Sequence, residues 1–355
     1  MFSEQDYRQL NNTELKLSPI TLGTMTFGDQ NSKQDAFEQL DFALEYGINS
    51  IDVAELYPVP PKADTYTKTE TIVGEWLKSQ NREKIILSSK IAGPRRDLNW
   101  IRGGPIALDE SNIIAAVDGT LKRMQTDYLD LLYLHWPERN VPMFGQYRFD
   151  PNDEIKNGKQ IEWISIENQL ETLSKLVNSG KVKAIALSNE FPWGLMQFIK
   201  IAKEYGYPLI CALQNSYSLL NRTIEFGTTE ILYREKLGFL AYSPLAFGYL
   251  TGKYINNPSA IGRVTLFPGY AKRFDKPGVN SAVEKYAQLA RKYELGLTEM
   301  SLAFVFSQWF MTSTIIGATS MAQLKQNINA YRIDLSEELL NEIEYIHLSS
   351  MNPAP

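Results

Sequence analysis

The stretch SIDVAELY, residues 50 to 57, sets the carboxylate of Asp52 inside an apolar, strand-like run and follows it one short turn later with the phenol of Tyr57. Two further apolar runs end on chemistry-bearing side chains: IILSSK closes on Lys90 and YLDLLYLH on His135. Singly, each residue has an ordinary structural explanation. Asp52 can cap a helix or meet a buried donor, Tyr57 is one tyrosine among nineteen, Lys90 can be a solvated charge and His135 a core imidazole bonded to backbone. Together, an acid, a phenol, an ammonium and an imidazole suit protonation of an oxygen on which negative charge develops, as when a carbonyl accepts hydride. A tyrosine ordinarily ionises near about 10, too high for a good donor at neutral pH unless its phenolate is stabilised. Lys90 is expected to lower that value, Asp52 to hold Lys90 charged and aimed, and His135 to orient a substrate oxygen toward Tyr57.

Residues so far apart in sequence meet only if the fold gathers the ends of their strands. Eight strand-like runs occur, at 20–26, 50–54, 85–90, 128–135, 182–189, 209–215, 237–243 and 313–319. Amphipathic stretches such as AFEQLDFALEYG and ISIENQLETLSKLVNSG separate them, each closing on the glycine expected just past a helix. Parallel neighbours need helical crossovers and eight tilted strands close a sheet, so the pattern predicts a (β/α)8 TIM barrel, with a doubly wound open sheet as the structural alternative. A hairpin turning at Asn11-Asn12 precedes it, and extra C-terminal helices follow, the last (SEELLNEIEYIHLSS) capped by Ser336 and carrying His347 as a structural residue. Three segments, 91–110, 136–163 and 246–278, are too long for simple connections; all follow strands, where barrel sites lie. With no linker or repeat beyond the βα unit, residues 1–355 read as a single domain.

Composition narrows the partners. At 355 residues, 44% hydrophobic and 12% aromatic, the chain can bury a large core. A net charge of −5 with interspersed signs offers no stripe for nucleic acid and no face for a membrane. No leader-like or membrane-spanning run is present, which predicts a cytoplasmic protein. The lone Cys211, in LICALQN, reads as a small buried hydrophobe, and with only two histidines no metal site is expected. Nothing in the sequence sets an oligomeric state.

Hydride chemistry requires a cofactor, yet no Gly-x-Gly-x-x-Gly follows a strand, and Gly252-Lys253 lacks the spacing of a P-loop. The later strand ends instead carry Ser188, Asn189, Gln214, Tyr242 and Ser243, amides and an aromatic face suited to a flat, carboxamide-bearing ring such as nicotinamide. The ordered motifs DVAELY, IILSSK, LDLLYLHWP, ALSN, LQNSYSLLNR, LAYSPLAFGYLTGKY and IIGATSMAQLKQNI resemble the aldo-keto reductase superfamily over nearly the whole chain, and GTMTFGDQN, DVAELYPVPP and the ending NPAP resemble its Tas-like bacterial branch. Potassium-channel β subunits are also relatives of that family.

The resemblance implies a barrel that binds NADPH/NADP+ in extended form and reduces a small aldehyde or ketone, with Asp52, Tyr57, Lys90 and His135 as the catalytic set. It implies Ser188, Asn189 and Gln214 at the carboxamide and Tyr242 stacked on the nicotinamide, with Thr24 and Met25 as further cofactor-binding residues. Ser243, Leu245, Gly248 and Leu250 are implied over the pyrophosphate, and Gly317, Thr319, Gln323 and Asn327 about the adenosine. Many relatives grip the 2′-phosphate with a lysine and an arginine where this chain has Gly317 and Gln323; Lys253 and Arg263 match the cations that channel-subunit-like relatives use instead. Trp100, Trp136 and Phe144 are expected pocket walls, and the PVPPKADTYTKT insert after Tyr57 is expected to shape access. Two rivals stand beside this reading. A barrel glycosidase could use SNE at 188–190, but strand seven ends without an acid, leaving Glu190 a charged loop residue. An NADPH-binding redox sensor would keep the cofactor site without turnover.

Overall fold

The structure is a computed structural model and describes residues 1–94 and 97–355. Eight parallel strands close into a barrel: β1 (Ile20–Gly23), β2 (Ser50–Asp52), β3 (Ile86–Ile91), β4 (Leu129–Leu134), β5 (Val182–Ser188), β6 (Ile210–Ser216), β7 (Gly238–Tyr242) and β8 (Ser313–Ile316). Each pairs with its sequence neighbours, and β8 returns to β1 through Thr314 opposite Ile20. The closed barrel is the one the strand and crossover pattern predicts, and the open sheet is excluded. Most strand residues are buried on both faces, which is why the runs read as continuous rather than alternating hydrophobics.

The helices around the barrel are α1 (Lys33–Tyr46), α2 (Lys68–Leu77), α3 (Glu110–Met124), α4 (Ile166–Asn178), α5 (Pro192–Tyr205), α6 (Thr228–Glu235), α7 (Val279–Lys292), α8 (Leu297–Phe306), α9 (Met321–Asn329) and α10 (Glu337–Ser349). Local chemistry fixes their ends. At α1, Ser32 Oγ accepts from the Asp35 amide while Asp35 accepts from the Ser32 amide, and Gly47 ends the helix at φ 100°. Ser336 caps α10 at the Leu339 amide, as its sequence predicts. Besides a four-residue turn of helix at Arg263–Leu266, the two long helices α7 and α8 lie between β7 and β8; α8 is buried on nearly every side. Among the described residues, no helix is long and apolar enough to cross a membrane.

The N-terminal hairpin pairs Arg8–Gln9 with Lys16–Leu17 and has Asn12 at φ 62° in its turn. Its Leu10, Leu15 and Leu17 join the inner cluster with Ile86, Leu131 and Cys211, closing the end of the barrel opposite the strand C-termini. The approach is tight at Gly238, the first residue of β7, where a Cβ would fall 2.2 Å from Leu10 Cδ2. Burial pushes the Cys211 thiol up to about 12, the state of an inert core residue. At the open end stand the three long loops; residues 95 and 96 of the first lie outside the described residues.

Candidate active site

Strand register brings the chemistry together. Asp52, last residue of β2, pairs with Ser88 of β3, and Lys90 stands two residues further along β3. Lys90 Nζ lies 2.5 Å from Asp52 Oδ2, 2.8 Å from the Val53 carbonyl oxygen and 3.2 Å from Tyr57 Oη. These contacts use all three hydrogens of an ammonium, so its charge cannot turn away. The other Asp52 oxygen accepts from Gln214 Nε2 at 2.9 Å and Ser88 Oγ at 3.3 Å. Because Tyr57 Oη accepts from Lys90, its own O–H is left to donate elsewhere. The His135 ring stands edge-on to Tyr57 with centroids 5.9 Å apart.

Electrostatics differs from the sequence-based expectation in one respect. The Tyr57 phenol is held well above its ordinary value, first by burial and then by the Asp52 carboxylate; Arg263 opposes this. Proximity to Lys90 does not lower it in the free protein, because desolvation penalises a phenolate more than the engaged ammonium favours it. Lys90 itself is lowered by burial, against the pull of Asp52. The phenol is therefore protonated at neutral pH.

A cavity of about 1020 Å³ opens over this cluster at the strand C-termini. Tyr57, His135 and Asp52 line one end, while Lys90 lies behind them, 1% exposed. Thr24, Met25, Ser188, Asn189, Gln214 and Tyr242 line the adjoining wall. Tyr242 Oη donates to Asn189 Oδ1 at 2.5 Å, and Asn189 Nδ2 donates to the His135 carbonyl oxygen at 2.9 Å. Ser243, Leu245, Gly248, Lys253 and Arg263 line the wall built by the 246–278 segment and its start. Ser243, Ala246 and Phe247 all have positive φ, a concentration of strained backbone where the chain crosses the mouth. At the far end, Gly317, Thr319, Gln323 and Asn327 line the entrance to α9. There Gln323 Oε1 accepts from the amide and hydroxyl of Thr319, and Asn327 Nδ2 donates to the Gly317 carbonyl oxygen.

Three expected placements are corrected. Leu250 is fully buried in the outer core, because the turn at Ala246–Thr251 directs it away from the cavity. Trp100 lies outside the cavity, edge-on to Tyr66 at 5.2 Å; its loop is anchored by Arg102, which pairs with buried Glu55. Glu190 is 2% exposed and paired with Arg139, which makes it a structural carboxylate and not a loop charge. Trp136 and Phe144 do line the cavity, edge-on to each other at 6.1 Å. Sequence reasoning missed Thr298 and Leu302 of α8 and Tyr270, Lys272 and Arg273 of the covering segment. The α8 residues carry no visible signal, but the paired cations in GYAKRFDK offered one.

Barrel, strand-end cluster and cavity define a class, and comparison with known proteins agrees. A sequence model described as "Aldo/keto reductase family" matches residues 19–347, and the chain belongs to that family. "Protein tas" of Escherichia coli (strain K12) is 44% identical over 351 residues, covering 98% of this chain and 99% of that protein. "Aldo-keto reductase" of Babesia bovis is 37% identical over 279 residues, 76% of this chain and 98% of its own. "Uncharacterized oxidoreductase YrpG" of Bacillus subtilis (strain 168) is 33% identical over 346 residues, 96% of this chain and 95% of its own. The resemblance to the Tas-like branch therefore stands, as does membership in a family of oxidoreductases.

Proposed function

We propose that the protein is an NADP(H)-dependent reductase of aldehyde or ketone carbonyls, with Tyr57 as the proton donor. The observation that carries this reading is the bridge at Lys90, whose ammonium contacts Asp52 and Tyr57 at once and leaves the phenolic hydrogen to donate elsewhere.

The residues present fit the cofactor. The cavity runs from the Tyr57 cluster to the start of α9, and Arg263, with its Nε buried and without a hydrogen-bond partner, lines it beside Lys253. Tyr242, Asn189, Ser188 and Gln214 would hold the nicotinamide, residues 243–248 the pyrophosphate, Lys253 and Arg263 the 2′-phosphate, and Thr319, Gln323 and Asn327 the adenosine. When bound, NADPH supplies hydride to the carbonyl carbon, so that the carbonyl gains hydride and one proton and leaves as an alcohol. Tyr57 gives that proton to the carbonyl oxygen, Lys90 faces the phenolate left behind, Asp52 fixes Lys90, and His135 orients the oxygen. Trp136 and Phe144 wall off water at this end.

The test is NADPH oxidation with a panel of aldehydes, ketones and dicarbonyls by wild type and Tyr57→Phe, with NADPH affinity measured by fluorescence. Turnover should fall by about 10²- to 10⁴-fold in the variant while NADPH still binds. Tight NADPH binding without any turnover lost in the variant would replace this reading with a redox-sensing or regulatory subunit.

A further inference from the structure

Arginines buried or half-buried in this chain almost all have a partner. Arg82, Arg102, Arg123, Arg139 and Arg222 each pair with a carboxylate, and Arg8 donates to the Met311 carbonyl oxygen. Among the described residues two depart from this pattern. Arg263 and Arg273 form no ion pair, and the Nε of each is buried without a hydrogen-bond partner. Both line the large cavity, whose lining among the described residues holds a single carboxylate, Asp52, already engaged by Lys90. A guanidinium nitrogen withdrawn from water with no protein acceptor carries a cost that an incoming anion relieves.

Arg263 lies over Phe247 at 5.0 Å, and its charge acts on both Lys253 and the Tyr57 phenol; beside Lys253 it is one of the cations assigned above to the cofactor. Arg273 is connected to the reacting end through ring contacts. Its guanidinium carbon is 6.0 Å from the Phe144 ring centre, Phe144 meets Trp136 edge-on, and Trp136 is 5.0 Å from His135, the neighbour of Tyr57. Its backbone is held against the 136–163 loop at Gly145, where a Cβ would come within 3.3 Å of Arg273 N and Cα.

We infer that Arg273 recognises an oxyanion, carboxylate or phosphate, carried by the carbonyl substrate itself, so that the preferred substrates are anionic aldehydes or ketones. The inference rests on the carbonyl reduction proposed above and names its substrate class. A planar fork with free donors binds either anion in bidentate fashion, and ring contacts through Phe144 and Trp136 connect that fork to His135.

The experiment compares kcat/KM for 4-formylbenzoate, 4-formylphenyl phosphate and the uncharged methyl 4-formylbenzoate, with saturating NADPH, in wild type, Arg273→Gln and Arg273→Lys. Wild type should prefer at least one anionic probe over the ester, and which one identifies the anion. Arg273→Gln should lose about 10- to 100-fold on that probe, the effect of removing a hydrogen bond to a charged group, and change little on the ester. Arg273→Lys should recover part of the loss. A uniform loss on all three probes, or a preference that survives Arg273→Gln, overturns the assignment. Calorimetric titration of the NADP+-loaded protein with terephthalate separates this inference from its parent. Binding that is lost in Arg273→Gln, without turnover of any probe, overturns carbonyl reduction and keeps the anion site. Absence of terephthalate binding to wild type, with the ester still reduced, overturns the anion site and keeps the reductase.

Discussion

Replacing Lys90 by methionine tests the energetic core of the site without relying on any substrate. The substitution keeps the volume but removes the cation, leaving Asp52, 2% exposed, with only the donors Gln214 and Ser88. Breaking one side of a buried ion pair costs about 3–5 kcal/mol. The double variant Lys90→Met/Asp52→Asn removes both charges and should recover most of that loss. Equilibrium urea unfolding of wild type, Lys90→Met, Asp52→Asn and the double variant reads this directly. A double variant no more stable than Lys90→Met would refute the description of Asp52 and Lys90 as a mutually dependent buried pair.

Other outcomes follow from the same geometry. The phenol of Tyr57 is raised, so the ultraviolet difference titration of wild type minus Tyr57→Phe should show no phenolate from this residue below about pH 10, the ordinary tyrosine value; a lower midpoint contradicts the dominance of burial. Arg263→Gln or Lys253→Met should weaken NADPH binding by about tenfold or more while changing NADH binding little, if these cations meet the 2′-phosphate; equal losses for both dinucleotides would remove that assignment. Gly74 of α2 sits where a Cβ would fall 2.2 Å from the Arg123 carbonyl oxygen and 2.6 Å from Met124 Cα. Gly74→Ala should therefore destabilise by about 1–3 kcal/mol in urea unfolding, although alanine gains about 1 kcal/mol in helix propensity.

What could be read from the sequence was whatever depends on strand order. Asp52, Lys90 and His135 are legible because each ends, or directly follows, an apolar run, and a parallel barrel directs all such ends to one mouth. Pairings between loops and helices are different. Glu55 stands three residues after Asp52, yet its partner Arg102 lies 47 residues away in an irregular loop, with no period to connect them. Glu190 meets Arg139 across 51 residues in the same manner. Leu250 and Trp100 were misplaced for a related reason: a turn with positive φ at Phe247 and Gly248, and a loop tethered by Arg102, set side-chain directions that residue type alone does not encode. Arg273 was missed because its significance lies in a partner it lacks, which only the surrounding packing reveals.

The raised phenol also determines where assistance to proton transfer must come from on the proposed reading. Burial keeps Tyr57 protonated in the free protein, which supplies the right species but a reluctant donor. Once the proton leaves, the same exclusion of water strengthens the attraction between the new phenolate and Lys90, whose Nζ is already 3.2 Å away. Lys90 can therefore contribute little to the proton affinity of the resting phenol and much to the charge that develops during the reaction. Only the second effect accelerates catalysis, since an interaction equal in both states lowers no barrier. Asp52 enters through Lys90: with the three ammonium hydrogens committed, the charge is held beside the phenol before any substrate arrives, and no reorganisation is left for the moment of transfer.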